Sequence, residues 1–522
     1  MSQELKQELK QLQKDCNWLS IYEKFNPIVS IKDNSDIWNN DEILSIISYS
    51  SAKLSETSIN LKWAFNTDDE RNKFLSQQKK YRNDTIFLRE RCIEIKPNNP
   101  AYYSNIAYSY YQFFRELTTP GGRRDGRPKE DANLAIEYID KALNLDSGRI
   151  VDLYRKGQLL TEMLPKVLIY NKTTLNDRDK AKAANLEASK IIDEGIICFE
   201  KAISIYESYT LDNNSRTRYY KEYVKSLYDL SRAYTDLVDK DWDETIFVLK
   251  LNDKIGDNDS VTYIPKHLEF VNKAIDNIKK CIVFDNIPAK YQKNDRLLDI
   301  AKHTGQLEGV YKLYSLGKIL FLKYWVLSGY GQKTNHEADE NREMAIQYLF
   351  SALEFDWSHE KEKQDKSFIA ERLARVYITK NDFDSAVTTL EQFTQNKKKL
   401  DYYVLYTLSI AYINKGQHSK AKQILDEALQ NRGNKELWLG HFLIACSNLI
   451  SGDIDSANNE LDKATSIAEE NGKHNIDSLL IAKSFVQYKK SDKTNAIKFL
   501  EEADKINPYR VSVKNYLNRW KK

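Results

Sequence analysis

At 522 residues the chain is long enough for several domains or one long repeat array, and 79 Lys and Arg against 76 Asp and Glu leave a net charge of +3. So close a balance excludes a global basic field for nucleic acid or anionic lipid, so any such binding has to be local. Nine Pro and 17 Gly are few turn formers and 33 Tyr are many, which suits long helices with amphipathic aromatic contacts.

The N-terminal MSQELKQELKQLQKD is polar from its first residues and lacks the apolar core of a signal peptide. Residues 1–35 read as a capping region built on a helix over about Gln3–Phe25. Residues 36–97 read as a divergent helix pair: EILSIISYSSAKL supplies the first helix and TIFLRERCIEIKP, with Thr85, Arg89, Cys92 and Pro97, the second.

From 98 to 362 four further pairs follow, each with extra residues between its helices. Ala107 pairs with Ala135, Ile139 and Ala142; Gly157 with Gly195, Phe199 and Ala202; Ser231 with Ala274, Ile278 and Cys281; Gly317 with Ala345, Leu349 and Ala352. The separations from first helix to second are 28, 38, 43 and 28 residues. The first insertion, TTPGGRRDGRPKED, sets Gly121, Gly122 and Gly126 among Arg123, Arg124, Arg127 and Lys129. Such a mixture either presents amides and guanidinium groups to a phosphate or acidic peptide, or is a solvated loop; no strand-to-helix phosphate-loop pattern flanks it. The second insertion, carrying Pro165, reads as a loop before a lengthened second helix. In the third, TIFVLKL and SVTYI alternate β-branched and apolar residues around NDKIGDND, which predicts a small β-hairpin near 244–264. The fourth, SGYGQKTNHEADENR, reads as a polar loop. The most apolar stretch, GKILFLKYWVLSGYG, is too short to span a bilayer and carries Lys318 and Lys323, so it reads as a buried helix and no membrane contact is expected.

Residues 363–508 keep a stricter spacing. Ala374, Tyr377, Ala386, Leu390 and Phe393 fall at offsets of 0, 3, 12, 16 and 19, and the same ruler fits from Ser409, from Ala445 and from Ser484, with Pro508 closing the last unit. A period of about 35 residues with small residues at helix crossings describes stacked helix hairpins. Each hairpin buries only part of its apolar face alone, so neighbours stack to complete one core. Residues 509–522, YRVSVKNYLNRWKK, read as a C-terminal capping helix.

These offsets resemble the tetratricopeptide repeat family over about Tyr103 to Pro508, with the four regular units carrying most of the specificity. The resemblance implies an all-α, right-handed superhelical solenoid of antiparallel helix hairpins whose first helices line a concave face. Tyr154, Tyr228, Tyr314 and Tyr406 each stand three residues before a small anchor. They either form a ladder along the groove or pack against the next repeat, and the sequence leaves both open. In the C-terminal units Tyr403, Tyr406, Phe442, Phe485 and Tyr488 project into the same groove, a set more apolar than a solvated surface warrants. Such a groove takes a partner's amphipathic helix or extended peptide, or an internal segment such as the N-terminal helix. The family's clamp for chaperone tails is not reproduced at the matching Glu371, Arg375, Thr407, Leu439 and Leu443.

The seven His are scattered, and no HExxH, GxSxG, GxxxxGK[ST] or GxGxxG is present, so no catalytic, cofactor or metal residue is assigned. Five Cys without a CxxC pair, two of them in small-residue slots, point to buried thiols and a cytoplasmic location. The expectation is a non-catalytic scaffold or adaptor that binds a protein or peptide through the groove and the inserted edge. The alternative is a ligand-responsive regulatory subunit, with RNA binding a weaker third reading and the oligomeric state open.

Overall fold

The structure is a computed structural model that describes residues 2–56, 67–118, 128–165, 178–208, 213–238, 244–251, 255–282, 309–354, 366–394, 401–430, 436–471 and 476–522. Among these residues all regular structure is helical, and contacts divide the chain into two units. One comprises Met1–Tyr170 with Ala184–Ser226, the other Asn171–Ala183 with Leu227–Lys522.

In the first unit α1 (Ser2–Lys14) and α2 (Trp18–Glu23) replace the single helix expected over Gln3–Phe25. The chain breaks between them at Cys16, whose φ of 55° lies in the left-handed region. Both helices pack on α4 (Asp41–Ser55), which follows the short α3 (Ser35–Trp38). Asn40 starts α4 by accepting the Ile43 N–H at 3.2 Å, and Thr67 starts α5 (Asp68–Ile95) by accepting that of Glu70. Asp68, Asp69 and Glu70 in the first turn of α5 suit the positive end of its dipole. α4 and α5 form a hairpin, as do α6 (Pro100–Thr118) and α7 (Pro128–Leu145), both opened by a proline at no cost in hydrogen bonds. α8 (Ile150–Gln158) runs on as a π-helical turn through Met163, and its partner α9 (Arg178–Glu207) is the lengthened second helix. They meet closely: a Cβ on Gly157 would lie 2.7 Å from the Phe199 ring.

In the second unit the end of α10 (Asn213–Asp236) pairs with α12 (Pro265–Ile282), Ser231 Oγ donating to the Ala274 carbonyl at 2.8 Å. The remaining hairpins are α13 (Gly309–Leu327) with α14 (His336–Glu354), α15 (Ser367–Thr379) with α16 (Phe383–Thr394), α17 (Tyr402–Asn414) with α18 (His418–Leu429), α19 (Leu437–Ser451) with α20 (Ile454–Glu470), and α21 (Asp477–Lys489) with α22 (Lys493–Ile506). α23 (Val511–Lys521) packs on α22 and ends the chain. The ruler positions are the core: Ala374, Ala386, Leu390, Ala421, Leu425, Ala457, Leu461, Ala496 and Leu500 are all buried. Each first helix touches the next first helix as well as the preceding second helix, so α15, α17, α19 and α21 form one inner row.

The predicted β-hairpin near 244–264 is not formed. Residues Glu244–Val248 are instead a short helix, α11, and no strand occurs among the described residues. β-branched residues there have no strand to pair with; they face helices, and packing overrides propensity. The fourth insertion also departs from a plain polar loop: Ser328 and Gln332 are buried, and Gly331 has a φ of 82° with its Cα against Trp325.

Close helix contact at the small anchors gives a first prediction. A Cβ on Gly317 would stand 2.7 Å from Leu349 Cγ and 3.1 Å from the Leu349 backbone nitrogen. Gly317→Ala is therefore expected to cost about 1–3 kcal/mol by overpacking, despite alanine's better helix propensity. A denaturant midpoint equal to or above wild type would refute it.

Candidate functional site

The inner row α15, α17, α19 and α21 is where the sequence places a partner. In α17, Val404–Ile413 are buried at every position, and in α19 only His441 and Asn448 interrupt the buried run from Trp438 to Leu449. A helix buried all round needs cover on every side. Part of that cover comes from the chain itself. α11 contacts α17, α19 and α21 in turn, so the third insertion crosses the inner row.

The insertion is seated firmly. Thr245, Ile246, Phe247, Val248 and Leu251 are buried, and the Phe247 ring lies 6.1 Å from that of Trp325. Leu251 joins a cluster with Ile481, Leu500, Val513, Tyr516 and Trp520, which ties the insertion to the last hairpin and to α23. Arg510, itself buried, donates from Nη1 to Thr245 Oγ1 at 3.1 Å and from Nε to Asp477 Oδ2 at 2.7 Å. One guanidinium thereby joins the insertion, the start of α21 and the start of α23.

The following turn is latched from two directions. Lys333 Nζ donates to the carbonyls of Gly256, Asp257 and Asp259 at 3.1, 2.6 and 3.1 Å. The Asp259 carboxylate accepts the Gly256 N–H at 2.7 Å and the Asn515 amide at 2.9 Å, and these two bonds, the first foremost, hold it below the usual carboxylate range. Gln332 bridges to the chain end, donating to the Tyr509 carbonyl at 2.9 Å and accepting the Val511 N–H at 2.7 Å. The insertion, the fourth loop and α23 thus form one hydrogen-bonded body across the repeats.

The eight groove residues fall into three groups. Tyr154, Tyr228, Tyr406 and Phe442 are buried; Tyr406 donates to the Glu436 carbonyl at 3.0 Å, and Tyr228 faces Ser315 at 3.3 Å. Tyr314 is half-buried with its ring edge-on to Phe368 at 4.8 Å, and Phe485 packs edge-on to Tyr516 and Trp520. Tyr403 and Tyr488 are exposed, the latter stacked on Trp520 at 4.2 Å. At the edge Lys129 is exposed at the start of α7, while Arg123, Arg124 and Arg127 lie outside the described residues. Sequence reasoning missed Thr245, Phe247, Gln332, Lys333 and Arg510. The available signal was the coincidence of inner helices apolar all round, LWLGHFLIACSNLIS above all, with an apolar TIFVLKL insertion.

Burial pushes the thiols of Cys92, Cys198 and Cys281 up to about 12, 11 and 12, the reverse of what activates a nucleophile. Among the described residues no cluster of three His, Cys, Asp or Glu is placed to hold a metal, and no helix is long and apolar enough to cross a membrane.

The tetratricopeptide repeat family matches residues 402–434, which hold the α17–α18 hairpin. No curated protein matches the sequence. Among solved structures, the human IFIT1 dimer with PPP-AAAA is 15% identical, covering 90% of this chain and 84% of that one, with a TM-score of 0.36. The APC/C hetero-tetramer Cut9-Hcn1 is 12% identical with coverage of 99% and 96% and a TM-score of 0.32. The yeast Tom70 is 17% identical with coverage of 87% and 94% and a TM-score of 0.29. The chain thus carries a tetratricopeptide repeat at residues 402–434, and the neighbouring hairpins share its pairing and its buried ruler positions.

Proposed function

We propose that the chain is a non-catalytic scaffold that captures a protein or peptide partner, working in a reducing compartment where its buried thiols stay reduced. The observation that carries this reading is the inner row itself: it already seats a short, mostly apolar helix, Glu244–Val248, as such a row would seat a partner's. With that helix across the row, the exposed rings left for a second chain are Tyr403 and Tyr488, and the inserted edge around Lys129 is a second surface. Exposed aromatic rings on a rigid row are the usual anchors of such contacts.

Affinity capture with mass spectrometry, comparing wild type with two variants, tests the proposal. Tyr403→Ala with Tyr488→Ala should weaken capture about tenfold or more while changing the fold little. Removing residues 119–127 tests the edge separately. Capture unchanged in both variants would sink the reading.

A further inference from the structure

In every other hairpin the second helix puts a large apolar residue at the centre of the ruler: Ile139, Phe199, Leu349, Leu390 and their counterparts, all buried. In α5 that place is taken by Arg89, also buried. A guanidinium in a core position is costly unless an anion compensates it. Arg89 donates only from Nη1, to the Asn105 carbonyl and to Ser109 Oγ at 2.6 Å, and its Nε is buried with no acceptor. The ionisable groups that act on it most are Cys92, Arg155, Tyr108 and Tyr49, and no carboxylate is among them. Burial pushes it down to about 10, so it stays charged at neutral pH.

A second cation reaches the same strip of α6. Ser104, Asn105, Tyr108 and Ser109 lie on neighbouring ridges of that helix, one and four residues apart. Asn105 and Ser109 hold Arg89, while Arg155 of α8 covers the Tyr108 ring at 4.4 Å with Nη1 3.4 Å from Ser104 Oγ. Asp152, fully buried, pairs with Arg149 at 2.5 Å and with Arg155 at 3.6 Å and accepts from Ser104. Asp152 therefore faces the Arg149 and Arg155 guanidinium groups, and Arg89 on the same strip has no carboxylate of its own, which leaves an excess of two positive charges where Arg155 and Tyr108 are half-buried.

We propose that the α5–α6–α8 strip of the first unit is a receptor for a phosphate monoester dianion, with Arg89 and Arg155 as its two cationic arms. A phosphate monoester carries nearly two negative charges at neutral pH and offers three acceptor oxygens, which matches the excess charge and the open donors. A carboxylate would leave one guanidinium uncompensated. The proposal does not depend on the scaffold reading, because it concerns the other unit and a different chemistry.

Calorimetric titration of the full chain with a phosphoserine peptide, a nucleoside monophosphate, inorganic phosphate and, as control, the matching glutamate peptide tests it. Binding of at least one phosphate probe and not of the glutamate peptide is expected, and which probe binds tells a protein-borne phosphate from a free one. Arg155→Gln should weaken that binding about tenfold to a hundredfold. Arg89→Leu, which supplies the residue type of the other hairpins, should abolish it while the thermal midpoint holds or rises. No binding by any phosphate probe, equal binding of the glutamate peptide, or an unchanged affinity in Arg155→Gln would overturn the proposal. So would an Arg89→Leu chain that loses stability yet keeps its phosphate affinity.

Discussion

Phe247→Ala is expected to lower the free energy of unfolding by about 3–5 kcal/mol, a core-sized loss from a residue in an inserted segment. Phe247 is buried beside Trp325, and its helix spans three successive inner helices, so truncation leaves a cavity that rigid helices on several sides cannot close. A urea titration read by tryptophan fluorescence measures it. A loss below about 1 kcal/mol would mean that the insertion rests on the repeats without stabilising them.

The second large effect is at the latch. Arg510→Ala should cost about 3–5 kcal/mol, because it strands the partly buried Asp477 carboxylate and removes the donor to Thr245. A double-mutant cycle with Asp477→Ala separates the pair from its surroundings: the two losses should fall well short of adding. Additive losses would show that Arg510 acts through packing alone.

Much of the framework was legible because its causes are local. Ala386, Leu390 and their equivalents are small or aliphatic at fixed offsets since two helices can cross there only with such residues, and the offsets survive in the sequence. The first hairpin, α4 with α5, carries Arg89 at the centre of the same ruler. The helix break at Cys16 left no glycine or proline to mark it. TIFVLKL was misread for a different reason: its β-branched residues carry a strand signal, whereas its conformation is set by α17, α19 and α21, which lie far along the chain. The same distance hid the latch, since Arg510 and Thr245 are 265 residues apart and neither belongs to a motif.

The groove residues divide along the same line. Tyr406 and Phe442 lie on helices of the inner row and are buried, and which faces of that row are covered depends in part on an insertion that belongs to another hairpin. Tyr403 and Tyr488, on the same helices' row, stay exposed.

Amide hydrogen exchange on the full chain tests most directly whether the third insertion occupies the inner row in solution. Amides of Ile246, Phe247, Val248 and Leu251 should exchange about as slowly as those of Val404–Ile413, because these residues are buried in one packed body and open together. Exchange of Ile246–Leu251 at the rate of a free peptide, with Val404–Ile413 still protected, would contradict it and leave the inner row open to a partner.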